Sequence, residues 1–319
     1  MNSFALLRTT LACATLWFVI AAQIACAHQS TSSAQNKPAL NTAEFHVTKV
    51  IKVKEEAEVI YGMAGNTKLT LDAYTPDDPT VKHPAILLIH GGGWSGGDKR
   101  FYAPMGRALA AKGYVAFSIN YRLLTQAANK YPAQLDDSQR AVRWVRAHAN
   151  SYNIDPARIG ALGDSAGGYL VAMLGTRDTR DNSDAALASF SSRIQCGIDF
   201  YGPTDFTGPL TEATANPIGA AIVANFLGKK AGEAVDLYKE SSPVTYVDKN
   251  SAPFLIIHGT TDPLVPVSQS EHLYEALHTA GIPATLLLVY KQGHGFLNPG
   301  MPTSFGAVTE EFFARILKP

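Results

Sequence analysis

Ser165 stands in Gly163-Asp164-Ser165-Ala166-Gly167, between a short apolar run, Ile159 to Leu162, and a helical pattern through Tyr169, Leu170, Met173 and Leu174. A strand that turns straight into a helix through Gly-x-Ser-x-Gly holds its serine in a strained backbone conformation at the strand's carboxyl end. Gly163 and Gly167 let the neighbouring chain pass close by. The hydroxyl is left in the open, beside the positive end of a helix dipole. On its own the pentapeptide also reads as a Gly-rich turn with an incidental serine. Its chemistry depends on partners.

A serine hydroxyl is a poor nucleophile until a base takes its proton, and the base needs an acid to fix its tautomer and stabilise the imidazolium. His272 and His278 fall inside a helical pattern, Ser268 to Ala280, where an exposed polar face accounts for them. His294, in Gly293-His294-Gly295-Phe296, falls on a loop just past the last apolar strand and is the candidate base. Asp262 follows the strand Phe254 to His258, in a loop reading His-Gly-Thr-Thr-Asp-Pro-Leu-Val-Pro, and is the candidate acid. Its other reading is an Asx-turn before Pro263. Asp205, in Gly202-Pro203-Thr204-Asp205, follows the preceding strand and is the alternative acid for the same histidine.

His90-Gly91-Gly92-Gly93-Trp94 follows the apolar run Ala85 to Ile89. Glycines leave backbone N–H groups free to point at a developing alkoxide, joined by the N–H of Ala166. A phosphate cradle would need Lys-Ser/Thr at a helix start or Gly-x-Gly-x-x-Gly. Gly96-Gly97-Asp98-Lys99 follows instead, which excludes a nucleotide site. His90 reads as a brace for the loop rather than as a base.

The surrounding pattern brings these loops to one edge. Apolar runs at Ala85–Ile89, Tyr114–Ile119, Arg158–Gly163, Gln195–Tyr201, Phe254–His258 and Thr285–Tyr290 alternate with helical stretches at Tyr102–Lys112, Ala133–Ser151, Ser268–Gly281 and Phe305–Leu317. Repeated β-then-α order with continuous apolar strands predicts a mostly parallel sheet covered on both faces. Val47–Val53, Val59–Tyr61 and Lys68–Tyr74 alternate as strands at a sheet edge. Asp136, Asp137, Arg140, Arg143 and Arg146 read as solvated or packing-edge charges of the long helix. Ser268-Gln269-Ser270-Glu271 has capping-box spacing. About fifty residues separate the strands at Tyr201 and Phe254, with helical patterns at Ile218–Leu227 and Glu233–Lys239; an insertion of that size is a candidate cap, about 208–245.

The 319 residues are 46% hydrophobic and 17% charged, with 27 basic and 27 acidic side chains, so the balance and the absence of a basic tract exclude a nucleic-acid partner. Residues 1–27 read as an export signal: Arg8 is their only charge, Leu11–Ala22 is apolar, and Ala25-Cys26-Ala27 has cleavage-site form. The apolar run is shorter than the roughly 20 residues of a stable membrane span. The expected location is secreted or periplasmic; the alternative is a lipoprotein anchored through Cys26, against which Gln23 stands where such signals usually carry leucine. Residues 28–45 read as a flexible tether and 46–319 as the catalytic domain. Cleavage after Ala27 leaves Cys196 alone, a small core residue, with no Cys/His metal spacing and no disulfide.

Taken together, the motifs resemble the α/β-hydrolase superfamily over nearly all of the chain beyond the leader. His90-Gly-Gly-Gly-Trp94, Gly163-Asp-Ser-Ala-Gly-Gly168, Asp262-Pro-Leu-Val-Pro266 and Gly293-His-Gly-Phe296 look like the bacterial esterase branch that includes feruloyl and acetylxylan esterases. Its neighbours are the hormone-sensitive-lipase-like esterases, which carry a helical cap before the first strand; only a short polar tether separates the expected leader from Val47, so that subgroup is the poorer fit. The resemblance implies an α/β-hydrolase fold with a mostly parallel eight-stranded sheet, Ser165 as nucleophile, Asp262 as acid and His294 as base. It also implies an oxyanion hole from Gly92, Gly93 and Ala166. The expected activity is an exported serine carboxylic-ester hydrolase for short acyl or aryl esters, small or polysaccharide-linked, working through an acyl-enzyme without a cofactor or metal. The alternatives are a formamidase or peptidase on the same fold, or a non-catalytic binding module. Trp94, Tyr201, Phe206 and Phe226 are the expected pocket walls; no arginine cluster stands near the motifs, although Arg122 in Asn120-Tyr121-Arg122 could stand closer than its position suggests.

Overall fold

Ala85-Ile86-Leu87-Leu88-Ile89 offers water no polar side chain, and all five are fully buried in strand β3, His83–Ile89. Their alternation divides the core. Ala85, Leu87 and Ile89 join one hydrophobic cluster, and Ile86 and Leu88 join another. Each fully buried aliphatic side chain contributes roughly 1.5–3 kcal/mol, so a strand apolar on both faces is stable only with helices on both sides.

The structure, a computed structural model, describes residues 51–212, 214–297 and 304–318. The expected leader and tether, and most of the strand expected over Val47–Val53, lie outside them. Among the described residues eight strands form one sheet, ordered β1-β2-β4-β3-β5-β6-β7-β8. The remaining strands are β1 Val53–Ala64, β2 Thr67–Pro76, β4 Val115–Ile119, β5 Ile154–Asp164, β6 Cys196–Phe200, β7 Phe254–Gly259 and β8 Ala284–Val289. β1 and β2 form an antiparallel hairpin, and β2 pairs antiparallel with β4. From β4 to β8 every pairing is parallel.

On one face, α2 (Ala133–Ala147), α3 (Ala166–Thr176) and α6 (Ser268–Thr279) send Leu135, Leu170 and Leu273 into the first cluster. On the other, α1 (Ala103–Ala111) and α7 (Ser304–Leu317) send Leu109, Phe312 and Phe313 into the second. The chain runs from β3 outward to β4 and returns to β5 on β3's other side. That reversal opens a crevice at the carboxyl ends of β3 and β5, the place where open α/β sheets bind ligands. The insertion between β6 and β7 contributes α4 (Pro217–Leu227) and α5 (Val235–Glu240), with short 3-10 turns at Pro209–Thr211 and Pro243–Tyr246.

Two expectations change. Asp137 and Arg143 of α2 are buried, not solvated: Arg122 holds Asp137 in a two-nitrogen ion pair, and Arg143 Nη1 donates to Asn182 Oδ1 at 2.8 Å. The capping box at Ser268 does not form, because Ser268 is already the first helical residue of α6 and Val267, with no polar side chain, holds the cap position. Cys196 is buried, and loss of solvent pushes its thiol pKa up, as suits a core residue. No helix among the described residues is long and apolar enough to cross a membrane.

Candidate active site

Because β3 and β5 to β8 run the same way, the loops after them meet on one edge. Ser165 sits between β5 and α3 at φ +50°, ψ −118°, a conformation strained for a residue with a Cβ. Its N–H donates to Phe200 O at 2.8 Å, which fastens the turn to the end of β6. The turn needs glycine on both sides: a Cβ on Gly167 would lie 1.9 Å from Ile89 O, and one on Gly163 would lie 2.5 Å from the Gly167 backbone.

The loop after β8 brings His294 Nε2 to 2.8 Å from Ser165 Oγ. The loop after β7 brings Asp262 Oδ2 to 2.7 Å from His294 Nδ1. The Asp262 side chain is fully buried, and its Oδ1 accepts from the N–H groups of Leu264 and Val265, each at 2.9 Å. Burial works to raise its pKa, but the imidazoles of His258 and His294 and the backbone donor at Val265 hold it well below the usual carboxylate range. An ionised acid, an imidazole and a hydroxyl in one line can activate the hydroxyl as a nucleophile. Asp205 has other partners: Oδ2 pairs with His272 Nδ1 at 3.2 Å and Oδ1 accepts from Thr207 N–H.

Gly92, Gly93 and Ala166 line the same cavity as Ser165 and His294. Gly92, at φ +112°, turns the loop so that its carbonyl accepts from Ser95 and Gly96 N–H. His90 braces the loop, its Nδ1 donating to Gly91 O at 2.8 Å and its ring stacked on Tyr121. The cavity measures about 430 Å³. Among the described residues, no three His, Cys, Asp or Glu side chains are grouped so as to hold a metal ion.

The BD-FAE family model matches residues 71–277. The chain belongs to the BD-FAE family. This BD-FAE chain is 32% identical over 226 residues to the probable carboxylic ester hydrolase LipM of Mycobacterium tuberculosis, covering 70% of this chain and 51% of LipM. It spans about half the length of the curated relatives it matches. It is similar to the solved truncated form of a carbohydrate esterase from gut microbiota, with 28% identity, a TM-score of 0.72, and coverage of 85% of this chain and 98% of that one. It is also similar to esterase Est2 of Thermogutta terrifontis with butyrate bound, with 27% identity, a TM-score of 0.70, and coverage of 84% and 95%. The same enzyme has been solved phosphorylated by paraoxon. The sheet is that of the α/β-hydrolase fold, as the resemblance implied.

In the BD-FAE chain the four expected pocket walls divide. Trp94 and Tyr201 line the cavity; Phe206 and Phe226 do not. Both phenylalanines are fully buried behind Trp94, with Phe226 stacked on its ring at 4.0 Å and Phe206 edge-on at 6.2 Å. Leu210, Ile222, Val223 and Leu264 form the wall instead. Arg122 is committed to Asp137 and is not among the lining residues. Sequence reasoning also passed over Tyr102, whose hydroxyl donates to Asp164 Oδ1, and His258, which stands 3.4 Å from Asp262 Oδ2. For His258 a signal existed: it opens the stretch that contains the candidate acid.

Proposed function

We propose that this BD-FAE chain is an exported serine carboxylic-ester hydrolase that cleaves short acyl or aryl esters through an acyl-enzyme. Ser165 Oγ attacks the ester carbonyl while His294 Nε2 takes its proton. Asp262 accepts from Nδ1–H, which fixes the tautomer and stabilises the imidazolium. Backbone N–H groups of Gly92, Gly93 and Ala166 donate to the carbonyl oxygen as it becomes an alkoxide; one such donor is worth about 2.7–4 kcal/mol of barrier. The imidazolium returns its proton to the leaving alcohol as the C–O bond breaks. Water, deprotonated by His294, then attacks the acyl group, releases the acid and regenerates Ser165.

The observation that carries this reading is the hydrogen-bonded line from Ser165 Oγ through His294 to Asp262, at 2.8 Å and 2.7 Å, opening on a cavity of about 430 Å³. That volume lies toward the small end of ligand sites, and walls such as Leu210, Ile222 and Val223 suit a short apolar acyl group. Butyrate in the Est2 structure and the carbohydrate-esterase likeness favour short acyl esters and carbohydrate-linked ones. Export rests on the leader-like residues 1–27.

A chromogenic ester panel from acetyl to palmitoyl, with a feruloyl ester, an aminoacyl anilide and a formanilide, tests the reading. The expected result is fastest turnover at acetyl to butyryl. Preference for palmitoyl over butyryl would overturn the pocket reading, and faster cleavage of either anilide would favour an amidase.

A further inference from the structure

His258 is the last residue but one of β7 and is fully buried. Its Nε2 lies 2.9 Å from Val265 O and 3.4 Å from Asp262 Oδ2. A carbonyl and an ionised carboxylate both accept only, so Nε2 carries the hydrogen. On the other side of the ring, Nδ1 stands 2.6 Å from Ser270 Oγ on α6, and in the neutral imidazole it accepts from that hydroxyl. The surroundings therefore select one tautomer, with its N–H aimed into the turn from Asp262 to Val265.

Asp262 needs that support at one oxygen more than at the other. Oδ1 is fixed by two backbone N–H groups of its own turn. Oδ2 faces His294, which arrives from a different loop after β8. Among the described residues, His258 is the one side chain besides His294 that reaches Oδ2, and it does so from a strand rather than a loop. A run of contacts thus leads from Ser270 on α6 through His258, Asp262 and His294 to Ser165.

We propose that His258 is a positioning residue that holds Oδ2 of Asp262 toward His294, with Ser270 fixing the ring's tautomer. The role rests on the esterase reading above. The Tyr201 ring also faces this group, 6.5 Å from the His258 ring and 4.9 Å from the His294 ring, and on β6 burial raises the Asp199 pKa while His258 opposes that rise. Removing a neutral donor from Oδ2 leaves the carboxylate more basic. Protonation of Asp262 and of the His294 imidazole facing it then both become easier. The acid limb of kcat/KM must therefore move to higher pH.

The test measures His258→Phe, His258→Gln and Ser270→Ala on a butyryl ester across pH, with thermal unfolding alongside. In His258→Phe, kcat should fall roughly tenfold to a hundredfold, the scale of misplacing a reacting group by an ångström, with KM little changed and the acid limb displaced upward. His258→Gln, which restores an N–H donor at similar reach, should recover most of kcat. Ser270→Ala should show a smaller loss in the same direction. Wild-type kcat and limb in His258→Phe would overturn the proposal, as would a loss with an unmoved limb and no recovery in His258→Gln. Should the phenylalanine variant not fold, a wild-type profile in Ser270→Ala overturns it instead. Ser165→Ala separates the two readings: turnover retained there overturns the reaction, whereas an inactive Ser165→Ala beside an unaffected His258→Phe overturns only the positioning role.

Discussion

The backbone N–H of Gly91 donates to Oδ1 of Asp164 at 3.0 Å, tying the glycine loop after β3 to the residue that precedes Ser165. Tyr102 OH donates to the same oxygen at 2.7 Å. The fit is close, since a Cβ on Gly91 would stand 2.5 Å from Asp164 Oδ2. Burial raises the Asp164 pKa, and the Tyr102 hydroxyl and Gly91 N–H oppose that rise. The turn that carries Ser165 and the glycine loop are therefore set against each other by one carboxyl, not by their strands alone.

Asp164→Ala should lower kcat on a short ester by about tenfold to a hundredfold, because the N–H groups proposed to face the developing alkoxide lose their anchor. Tyr102→Phe, which removes one of the two donors, should cost less. Steady-state kinetics check both, and an unchanged kcat in Asp164→Ala would show that the loop holds its place without this tie.

The two candidate acids make opposite forecasts. Asp262→Asn should lower kcat by about 10⁴, since an amide opposite Nδ1 selects the wrong imidazole tautomer. Asp205→Asn should leave kcat near wild type, because Asp205 is joined to His272 and Thr207. If the asparagine at 205 is the damaging change, the acid is misidentified.

Much of this was legible in the sequence, for physical reasons. Runs such as Ala85–Ile89 are apolar on both faces, so only a doubly covered strand accommodates them. Gly163 and Gly167 mark a turn too tight for any Cβ, which is a local requirement and so shows locally. The pocket wall was not legible in the same way. α4, Pro-Ile-Gly-Ala-Ala-Ile-Val-Ala-Asn-Phe-Leu, is apolar nearly all round. No polar face tells which side looks into the cavity, so the pattern does not mark Ile222 rather than Phe226 as the residue that lines it. Polar pairs such as Arg122 with Asp137 and His258 with Ser270 depend on tertiary contacts that periodicity does not encode.

Asp199 gives a stability forecast. It is fully buried on β6, with Oδ1 accepting from Gly202 N–H, and burial pushes its pKa from 3.8 up to about 6. The folded state then binds more protons than the unfolded state between about pH 4 and about pH 6. The stabilisation is full below that window and is lost as pH rises through it, by an amount on the order of 2–3 kcal/mol. Asn cannot ionise and keeps an acceptor for Gly202. Asp199→Asn should therefore gain stability over wild type between pH 4 and pH 7 in urea unfolding. A difference constant across that range would contradict it.

The nucleophile itself is tested most directly by labelling with paraoxon, followed by peptide mapping in a mass spectrometer. The expected result is a diethyl phosphoryl group on the peptide that contains Ser165, turnover lost in proportion to labelling, and no label in Ser165→Ala. Full turnover in the labelled protein, or inhibition with the label on a different residue, would contradict it.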